Sequence, residues 1–189
     1  MRPEHYVDIV LRGGAGVTVP VLAGKTMQVL HGVYARTPGR FATALPAMKH
    51  GEAPTPGHIV RVFSESGDDL DRLADAVEGV RNLRAFLTVA RIKRVPDDTD
   101  PRMEEYRRFR IPSRKGKSPE HQEKRMRLRL RRVTESQEMP YVMLHSGSTG
   151  QSFSMFVLRV SPSEPGTIGE PDSYGLSRST VHVPLPVIQ

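Results

Sequence analysis

The sequence predicts an α+β protein made of an N-terminal β-α-β-β-α-β domain and a C-terminal α+β domain that carries an arginine-rich helix. Strand-like and helix-like segments alternate between residues 5 and 94, and a polar segment bounded by prolines follows at residues 95–101. Basic residues are then concentrated up to residue 132. The β-α-β-β-α-β order is the ferredoxin-like pattern. We therefore predict a ferredoxin-like domain at residues 1–95 and a second domain at residues 96–189.

The N-terminal domain is predicted to hold four strands and two helices. Its strands are residues 6–11, 41–45, 58–63 and 86–90. The first helix covers residues 20–36. The second follows Ser66, a favourable N-cap residue, and has Asp68 and Asp69 in its first turn, where acids suit the helix dipole. We therefore interpret these acids as helix-capping residues and not as a metal site.

The first helix carries a histidine away from its apolar face. Leu22, Val29 and Val33 share one face, with Thr26 between them, and His31 lies on the opposite face. His31 is therefore not expected in the core. An ordinary exposed histidine and a functional one both fit this position.

The C-terminal domain is predicted to hold a basic strand, one long helix and two further strands. The basic strand and its loop cover residues 103–116, and Ser118 and Pro119 begin a helix that runs to about residue 132. The other two strands are residues 141–145 and 153–160. The turn between them, residues 146–151, is rich in Ser, Thr and Gly, a composition that suits either an anion site or a plain hairpin loop.

Positive charge is concentrated in one part of the chain. Twelve of the 26 residues from 107 to 132 are Lys or Arg, against the two acids Glu120 and Glu123, whereas the whole chain has a net charge of only +7. The arginines of the helix fall on two neighbouring faces, with Arg125, Arg129 and Arg132 on one and Arg127 and Arg131 on the other. Like charges at this spacing repel one another, and a polyanion would relieve the repulsion. The pattern favours an RNA or DNA partner over a solvated charged face.

The composition also excludes several classes of protein. The chain has no Cys, which rules out disulfides, a thiolate nucleophile and a Cys-ligated zinc site. It has no apolar run long enough to cross a membrane and no apolar segment typical of a signal peptide at its N-terminus. We therefore expect a cytoplasmic protein without membrane contact, metal site or cofactor.

Several segments of the chain resemble those of one known family. The most specific are MPYVMLHSGSTGQSF at residues 139–153 and SYGLS at residues 173–177, and HYVDIVLR at residues 5–12 and VLHG at residues 29–32 support them. With the basic strand and helix in the expected order, the chain resembles, over essentially its full length, the CRISPR-associated endoribonucleases that cut precursor CRISPR RNA (crRNA) at its repeat hairpins. The resemblance is to the type I-F-like branch of that family.

The resemblance implies that the arginine helix lies in the major groove of an RNA hairpin and contacts its phosphates. A deep and narrow A-form groove is recognised mainly through shape and charge. Arg110 resembles a guanine reader, because a guanidinium can bind O6 and N7 together, and Phe153 would stack on a base at the foot of the hairpin. The implied RNA-binding residues are Arg107, Arg108, Arg110, Arg114, Lys115, Arg125, Arg127, Arg129, Arg131, Arg132, Gln151 and Phe153.

The resemblance also implies cleavage by the 2′-hydroxyl of the RNA itself, without a metal, to give a 2′,3′-cyclic phosphate and a 5′-hydroxyl. His31 would take or relay a proton, and Ser146 would hold the attacking hydroxyl in line. Ser148 and Thr149 would bind the scissile phosphate, and Tyr174 would help to orient the site.

Two departures from the family pattern bear on these assignments. One residue is missing between His31 and the next strand. Gly24 and Lys25 would also match the family if Met27 stood at the position of the catalytic histidine, which would argue against cleavage. We prefer His31, because it keeps the spacing to the strand that begins at residue 41 within one residue. Pro112 stands where the family has a second base-reading side chain, and proline has no side-chain donor. We therefore expect the recognised repeat sequence to have diverged.

Three classes of function fit the sequence. The first is a hairpin-specific endoribonuclease that stays bound to its product in an effector complex with other CRISPR subunits. The second is a subunit with little or no activity that caps the 3′ hairpin of a crRNA in a transposon- or plasmid-associated effector. The third is a generic basic RNA-binding protein. RNA is the partner in all three.

Overall fold

Two antiparallel sheets and a helix that contacts both form the framework of the chain. The structure, a computed structural model, describes residues 2–14, 16–97, 102–112, 119–146, 150–161 and 167–188. Helices and strands are mixed along the chain, which confirms the predicted α+β class.

The first sheet is built from the N-terminal half. Its strands are β1 (His5–Leu11), β2 (Phe41–Ala44), β3 (Ile59–Ser64), β4 (Leu87–Val89) and β5 (Lys93–Arg94). They are all antiparallel, in the order β2-β3-β1-β4, and β5 also pairs with β1. The helices of this half are α1 (Val19–Tyr34), α2 (Gly67–Glu78) and α3 (Arg81–Arg84). The predicted cap of α2 is confirmed, since the Ser66 side chain accepts a hydrogen bond from the Asp69 backbone.

The second sheet is built from the C-terminal half. The elements of this half are β6 (Met103–Phe109), α4 (Pro119–Glu135), a 3-10 turn (Ser136–Glu138), β7 (Tyr141–His145), β8 (Ser152–Val160), β9 (Thr167–Ile168), β10 (Val181–His182) and β11 (Leu185–Pro186). The sheet has the order β11-β6-β8-β7, and β9 pairs separately with β10. Because β7 and β8 form a hairpin, the described residues between the two strands, Ser146, Gly150 and Gln151, lie at its connecting end, which we call the tip.

Helix α1 joins the two sheets by packing closely on β7. A Cβ atom added at Gly24 would overlap the backbone carbonyl of Met143, so only glycine allows this approach. Met27 and Leu30 of α1 and Val142 of β7 are fully buried beside the contact. The buried apolar side chains of both halves consequently form one cluster.

The chain after residue 170 returns to contact both halves. The Ser177 backbone N–H donates to Tyr106 of β6, and the Thr43 backbone N–H donates to Gly175, both at 2.8 Å. Near the C-terminus, the Arg61 guanidinium donates to the Ile188 carbonyl at 2.8 Å. The returning segment is thereby held against β6 and β2 at the same time.

A buried carboxylate reinforces this return. Glu105 of β6 has no solvent exposure, and its oxygens lie 2.9 Å from His182 Nδ1 and 3.1 Å from the Arg107 guanidinium. A buried charge is tolerated only when partners of this kind compensate its lost hydration. Glu105 therefore links β6 to the C-terminal segment at β10.

The arginine helix is longer than the sequence predicted. It ends at Glu135, not near residue 132, and so gains an acid beyond Glu123. Glu135 pairs with Arg131 at 3.3 Å and with Arg132 at 3.5 Å. The predicted end near residue 132 was therefore too early, and the additional turn brings an acid next to the last two arginines of the helix.

Most other predicted elements agree with the structure to within a few residues. The predicted strand at residues 141–145 coincides with β7, and the first helix starts at Val19 and ends at Tyr34. The sequence did not predict α3, β5 or the three short strands after β8. Elements of two to four residues contain less than one period of a helical or strand pattern, so periodicity cannot reveal them. None of the helices in the described ranges combines the length and apolar character needed to cross a membrane.

The two glycines of α1 provide a matched test of the contact with β7. We expect Gly24→Ala to lower the free energy of unfolding by about 2 kcal/mol, because the new methyl group forces the helix away from β7. Gly32→Ala adds the same methyl group where nothing lies within 4 Å, and should stabilise the helix by roughly 0.5–1 kcal/mol. Urea unfolding of both variants measures the difference, and equal effects would contradict the close packing.

Candidate functional site

The side chains of His31 and Tyr174 form a stacked pair. Their ring centroids lie 4.5 Å apart with an interplanar angle of 16°. His31 Nδ1 lies 2.7 Å from the backbone carbonyl of Ser173. Because a carbonyl can only accept, Nδ1 must carry the hydrogen, and Nε2 of the neutral ring holds the lone pair. The pair thus presents an oriented imidazole whose free nitrogen can accept a proton.

A tight turn positions the tyrosine of this pair. The Asp172 carboxylate accepts hydrogen bonds from the backbone N–H groups of Tyr174 and Leu176, at 2.9 and 3.0 Å. Gly175 has a φ of +78°, and a Cβ there would overlap the Thr43 side chain. The Tyr-Gly-Leu-Ser string therefore encodes a turn that only glycine can complete, with the tyrosine ring directed at α1.

A buried tyrosine supports the turn from the side of α1. Tyr34 hydrogen-bonds the Thr43 hydroxyl at 2.9 Å and stacks on Phe41 with centroids 5.1 Å apart. Burial raises the pKa of Tyr34 well above its ordinary value, so the phenol stays neutral. Its neutral hydroxyl can exchange a hydrogen bond with Thr43 next to Gly175.

The tip of the β7–β8 hairpin lies against the same helix. Gln28, one turn before His31, donates from its side-chain amide to the His145 carbonyl. Ser146 follows directly, and its backbone exchanges hydrogen bonds of 2.8 Å with Gly150 and Gln151. Residues three apart share a helix face, so α1 presents His31 on the side that contacts this tip. The other two predicted catalytic residues, Ser148 and Thr149, lie outside the described residues.

The alternative catalytic position is buried. Met27 has no exposed surface, whereas His31 is partly exposed and makes the contacts described above. A residue at position 27 is thus packed in the core between α1 and its neighbours, while position 31 reaches the surface.

A basic pocket lies near Tyr174. The Arg108 guanidinium carbon is 6.0 Å from the Tyr174 ring centroid, and Arg108 also lines a cavity of about 500 Å³ between β6 and residues 177–180. Arg110, Arg132 and Arg178 line the same cavity, which we call the arginine pocket. Three of these four arginines were predicted RNA-binding residues. Arg178 was missed, although it follows the Tyr-Gly-Leu-Ser string directly.

Arg107 differs from its neighbours on β6. Successive side chains of a strand point to opposite faces, so Arg107 lies on the same face as Glu105 and Arg108 does not. The Arg107 side chain is only 12% exposed and is paired with that carboxylate. Its charge is already compensated inside the protein.

The arginines of α4 divide into two groups. Arg125, Arg129 and Arg132 are partly buried: Arg129 donates to the Pro112 carbonyl at 2.7 Å, and Arg132 lies 4.5 Å from the Phe109 ring centroid. The other group consists of Arg127 and Arg131, whose side chains are 79% and 66% exposed.

The remaining predicted RNA-binding residues differ in how exposed they are. Gln151 is exposed, and Phe153 is partly buried against the core. Arg114 and Lys115 lie outside the described residues. Among the residues that the structure describes, no three His, Asp or Glu side chains are grouped so that they could hold a metal ion.

Comparisons with known proteins give one informative match. A family model described as CRISPR-associated protein (Cas_Csy4) matches residues 6–185. Solved structures with some likeness include a RAMP protein that binds different RNA substrates, at 16% identity and a TM-score of 0.36, with 97% of this chain and 100% of that chain covered. Thermus thermophilus Cse3 bound to an RNA representing a pre-cleavage complex is 12% identical, with the same coverage and TM-score. Similarity at TM-scores this low does not establish a common fold or function. No curated protein matches it.

The stacked pair can be tested by NMR on the protein alone. Tyr174→Leu removes the ring above His31, so we expect the His31 imidazole proton resonances to move downfield, with about 1 kcal/mol lost from folding stability. Tyr174→Phe keeps the ring and should leave these resonances nearly unchanged. If both variants shift them equally, the stack is absent in solution.

Proposed function

Because the chain belongs to the Cas_Csy4 family of CRISPR-associated proteins, whose model spans residues 6–185, we propose that it is an endoribonuclease that cleaves CRISPR repeat hairpins in precursor crRNA. The observation that carries this proposal is the stacked pair of His31 and Tyr174, with an imidazole nitrogen available as a proton acceptor. His31 lies one helical turn after Gln28, which contacts the end of β7, and Tyr174 lies near Arg108 of the arginine pocket, so a proton acceptor adjoins a basic surface.

The proposed reaction uses the RNA's own 2′-hydroxyl as the nucleophile. His31 Nε2 accepts the hydroxyl proton while O2′ forms a bond to the scissile phosphorus and the bond to O5′ breaks. The proton held by His31 is then returned to O5′, directly or through a water molecule, which yields a 5′-hydroxyl and regenerates the neutral imidazole. The other fragment ends in a 2′,3′-cyclic phosphate. We assign Ser146 to holding the 2′-hydroxyl in line and Tyr174 to orienting His31. Ser148 and Thr149 remain the proposed partners of the scissile phosphate.

The geometry favours His31 over position 27 as the catalytic residue. A proton acceptor must be accessible to the substrate, whereas the side chain at position 27 is fully buried in the core. His31 is oriented by a backbone carbonyl and by an aromatic ring, the kind of support that a general base requires.

We propose that the exposed arginines of α4 contact the phosphates of the hairpin stem. Arg127 and Arg131 have side chains that are 79% and 66% exposed, and their ion-pair partners among the described residues are the surface acids Glu123 and Glu135, which cost little to displace. Arg129 and Arg132 would act mainly by placing α4 against the end of β6. Several phosphate contacts would keep the protein on its product, as the 3′-end subunit of an effector complex with other CRISPR proteins.

We propose two units within this architecture. Residues 1–95 would form a ferredoxin-like domain that carries His31, supported by the strand order β2-β3-β1-β4 and the antiparallel pairing. Residues 96–189 would form the RNA-hairpin-binding domain. The site would therefore depend on both units, because His31 and Tyr174 belong to different ones.

Cleavage of a repeat hairpin in EDTA is the direct test. We expect the wild-type protein to cut a hairpin from the CRISPR array of the source genome without added metal, and to leave a 2′,3′-cyclic phosphate detectable by mass spectrometry. His31→Ala should slow single-turnover cleavage by about 10²–10⁴-fold, the usual contribution of a general base. His58→Ala removes an exposed histidine from the start of β3 and should cut at the wild-type rate.

Each other outcome of this experiment has a defined meaning. Tight binding of the hairpin without cleavage would identify a capping subunit instead of an enzyme. Competition by unrelated duplex RNA as effective as the cognate hairpin would identify a generic RNA-binding protein. Full activity in His31→Ala would refute the mechanism while leaving the family intact.

The role of the exposed arginines can be measured through salt dependence. Arg127→Ala with Arg131→Ala should weaken binding of every RNA that contains the stem and reduce the slope of log K against log [salt] by about 2, one for each lost phosphate contact. Arg81→Ala with Arg84→Ala removes two exposed arginines from α3 and should leave the slope unchanged. Equal effects of the two double variants would mean that α4 has no special role.

A further inference from the structure

The arginine pocket holds more positive charge than the acids in the described part of the chain compensate. Of the five arginines that line the cavity, Arg107 is paired with Glu105, and Arg132 is engaged by Phe109 and Glu135. For Arg108, Arg110 and Arg178, no carboxylate in the described part of the chain lies within ion-pair distance.

Asp172 also lines the pocket, and its Oδ1 accepts hydrogen bonds from the backbone N–H groups of Tyr174 and Leu176. One carboxylate can balance at most one of the three guanidinium groups, so positive charge remains in excess at the pocket. Ser179 and Thr180 add exposed hydroxyls next to Arg178. Guanidinium groups and hydroxyls that converge on a recess suit a phosphate, because guanidinium binds two phosphate oxygens at once.

The shape and position of the pocket indicate which phosphate it takes. The Tyr174 ring centroid lies 4.5 Å from the His31 ring centroid and 6.0 Å from the Arg108 guanidinium carbon. Tyr174 thus lies close both to the proposed cleavage site and to an arginine of the pocket. A rigid duplex suits the convex surface of α4, whereas a recess between a strand and a turn admits a flexible single strand.

Resting on the function proposed above, we propose that the arginine pocket binds a phosphate of the single-stranded RNA that adjoins the stem at the cut, and that Arg178 is its outer RNA-binding residue. Arg178 is exposed, and its backbone N–H donates to the Val181 carbonyl in a turn of its own at 2.9 Å. Its side chain can therefore be replaced without removing a contact from the core.

Binding of uncleavable RNAs tests this proposal. Three hairpins with a 2′-deoxy nucleotide at the cut are compared: the stem-loop alone, the stem-loop with a 5′ single-stranded flank, and the stem-loop with a 3′ flank. Fluorescence anisotropy over a range of KCl concentrations gives the Kd and the slope of log K against log [salt] for each RNA. The proteins compared are the full-length wild type, Arg178→Ser, Arg178→Lys and a control, Arg84→Ser, which removes an exposed arginine of α3.

We expect Arg178→Ser to bind one of the flanked RNAs about tenfold more weakly and to lower its salt slope by about 0.7, the value for one contact to a single strand. Binding of the stem-loop alone should not change, Arg178→Lys should lose less, and Arg84→Ser should match the wild type. The flank that responds identifies the strand. Replacing its first phosphodiester linkages one at a time by neutral methylphosphonates should remove the difference between wild type and Arg178→Ser at one linkage.

Three results would overturn the proposal. The first is that Arg178→Ser binds all three RNAs more weakly to the same extent, and the second is that it binds none of them more weakly. The third is that the difference in Kd between the wild type and Arg178→Ser survives every methylphosphonate replacement, which would place Arg178 on a base or sugar. A failure of the proposed function looks different: the wild type would then not cleave an all-ribose hairpin. Because the binding RNAs cannot be cleaved, the pocket is tested independently of the chemistry.

Discussion

The close contact of α1 with β7 is the constraint on which the rest of the structure depends. Glycine at position 24 lets the helix backbone lie directly on the carbonyl of Met143, and the buried residues around this contact merge the two halves into one core. The same contact brings the tip of the β7–β8 hairpin to Gln28, one helical turn from His31. Any element that separated α1 from β7 would also separate the parts of the proposed active site.

The C-terminal segment supplies the second half of that arrangement. It is held by backbone hydrogen bonds to β2 and β6, and by the buried Glu105 between Arg107 and His182. A carboxylate without solvent exposure needs both partners, so this part of the fold tolerates little movement. The position of this segment matters for the proposed active site, because the turn that follows Asp172 sets the position of Tyr174 over His31.

Positive charge is distributed over three kinds of environment, although the sequence shows one basic run. Arg107 balances a buried acid, and Arg129 fastens α4 to the end of β6. Arg127 and Arg131 face solvent on α4, and Arg108, Arg110 and Arg178 converge on the arginine pocket. A count of basic residues in the run therefore overstates the number of exposed, uncompensated guanidinium groups and omits Arg178, which lies outside the run.

The sequence by itself determined the α+β class, the alternation of strands and helices and the strand at residues 141–145, because these follow from the periodicity of apolar residues. It also determined the cap of α2, from the residue type at Ser66, and the family, from short specific strings of residues. The family resemblance also led us to propose His31 and Tyr174 as catalytic residues. Only the tertiary structure decided that these two residues stack across 143 positions of chain, that Met27 is sealed in the core, and that Arg178 joins Arg108. The physical reason is range: helical and strand patterns arise between residues a few positions apart, whereas contacts between distant segments depend on how complete elements pack against one another.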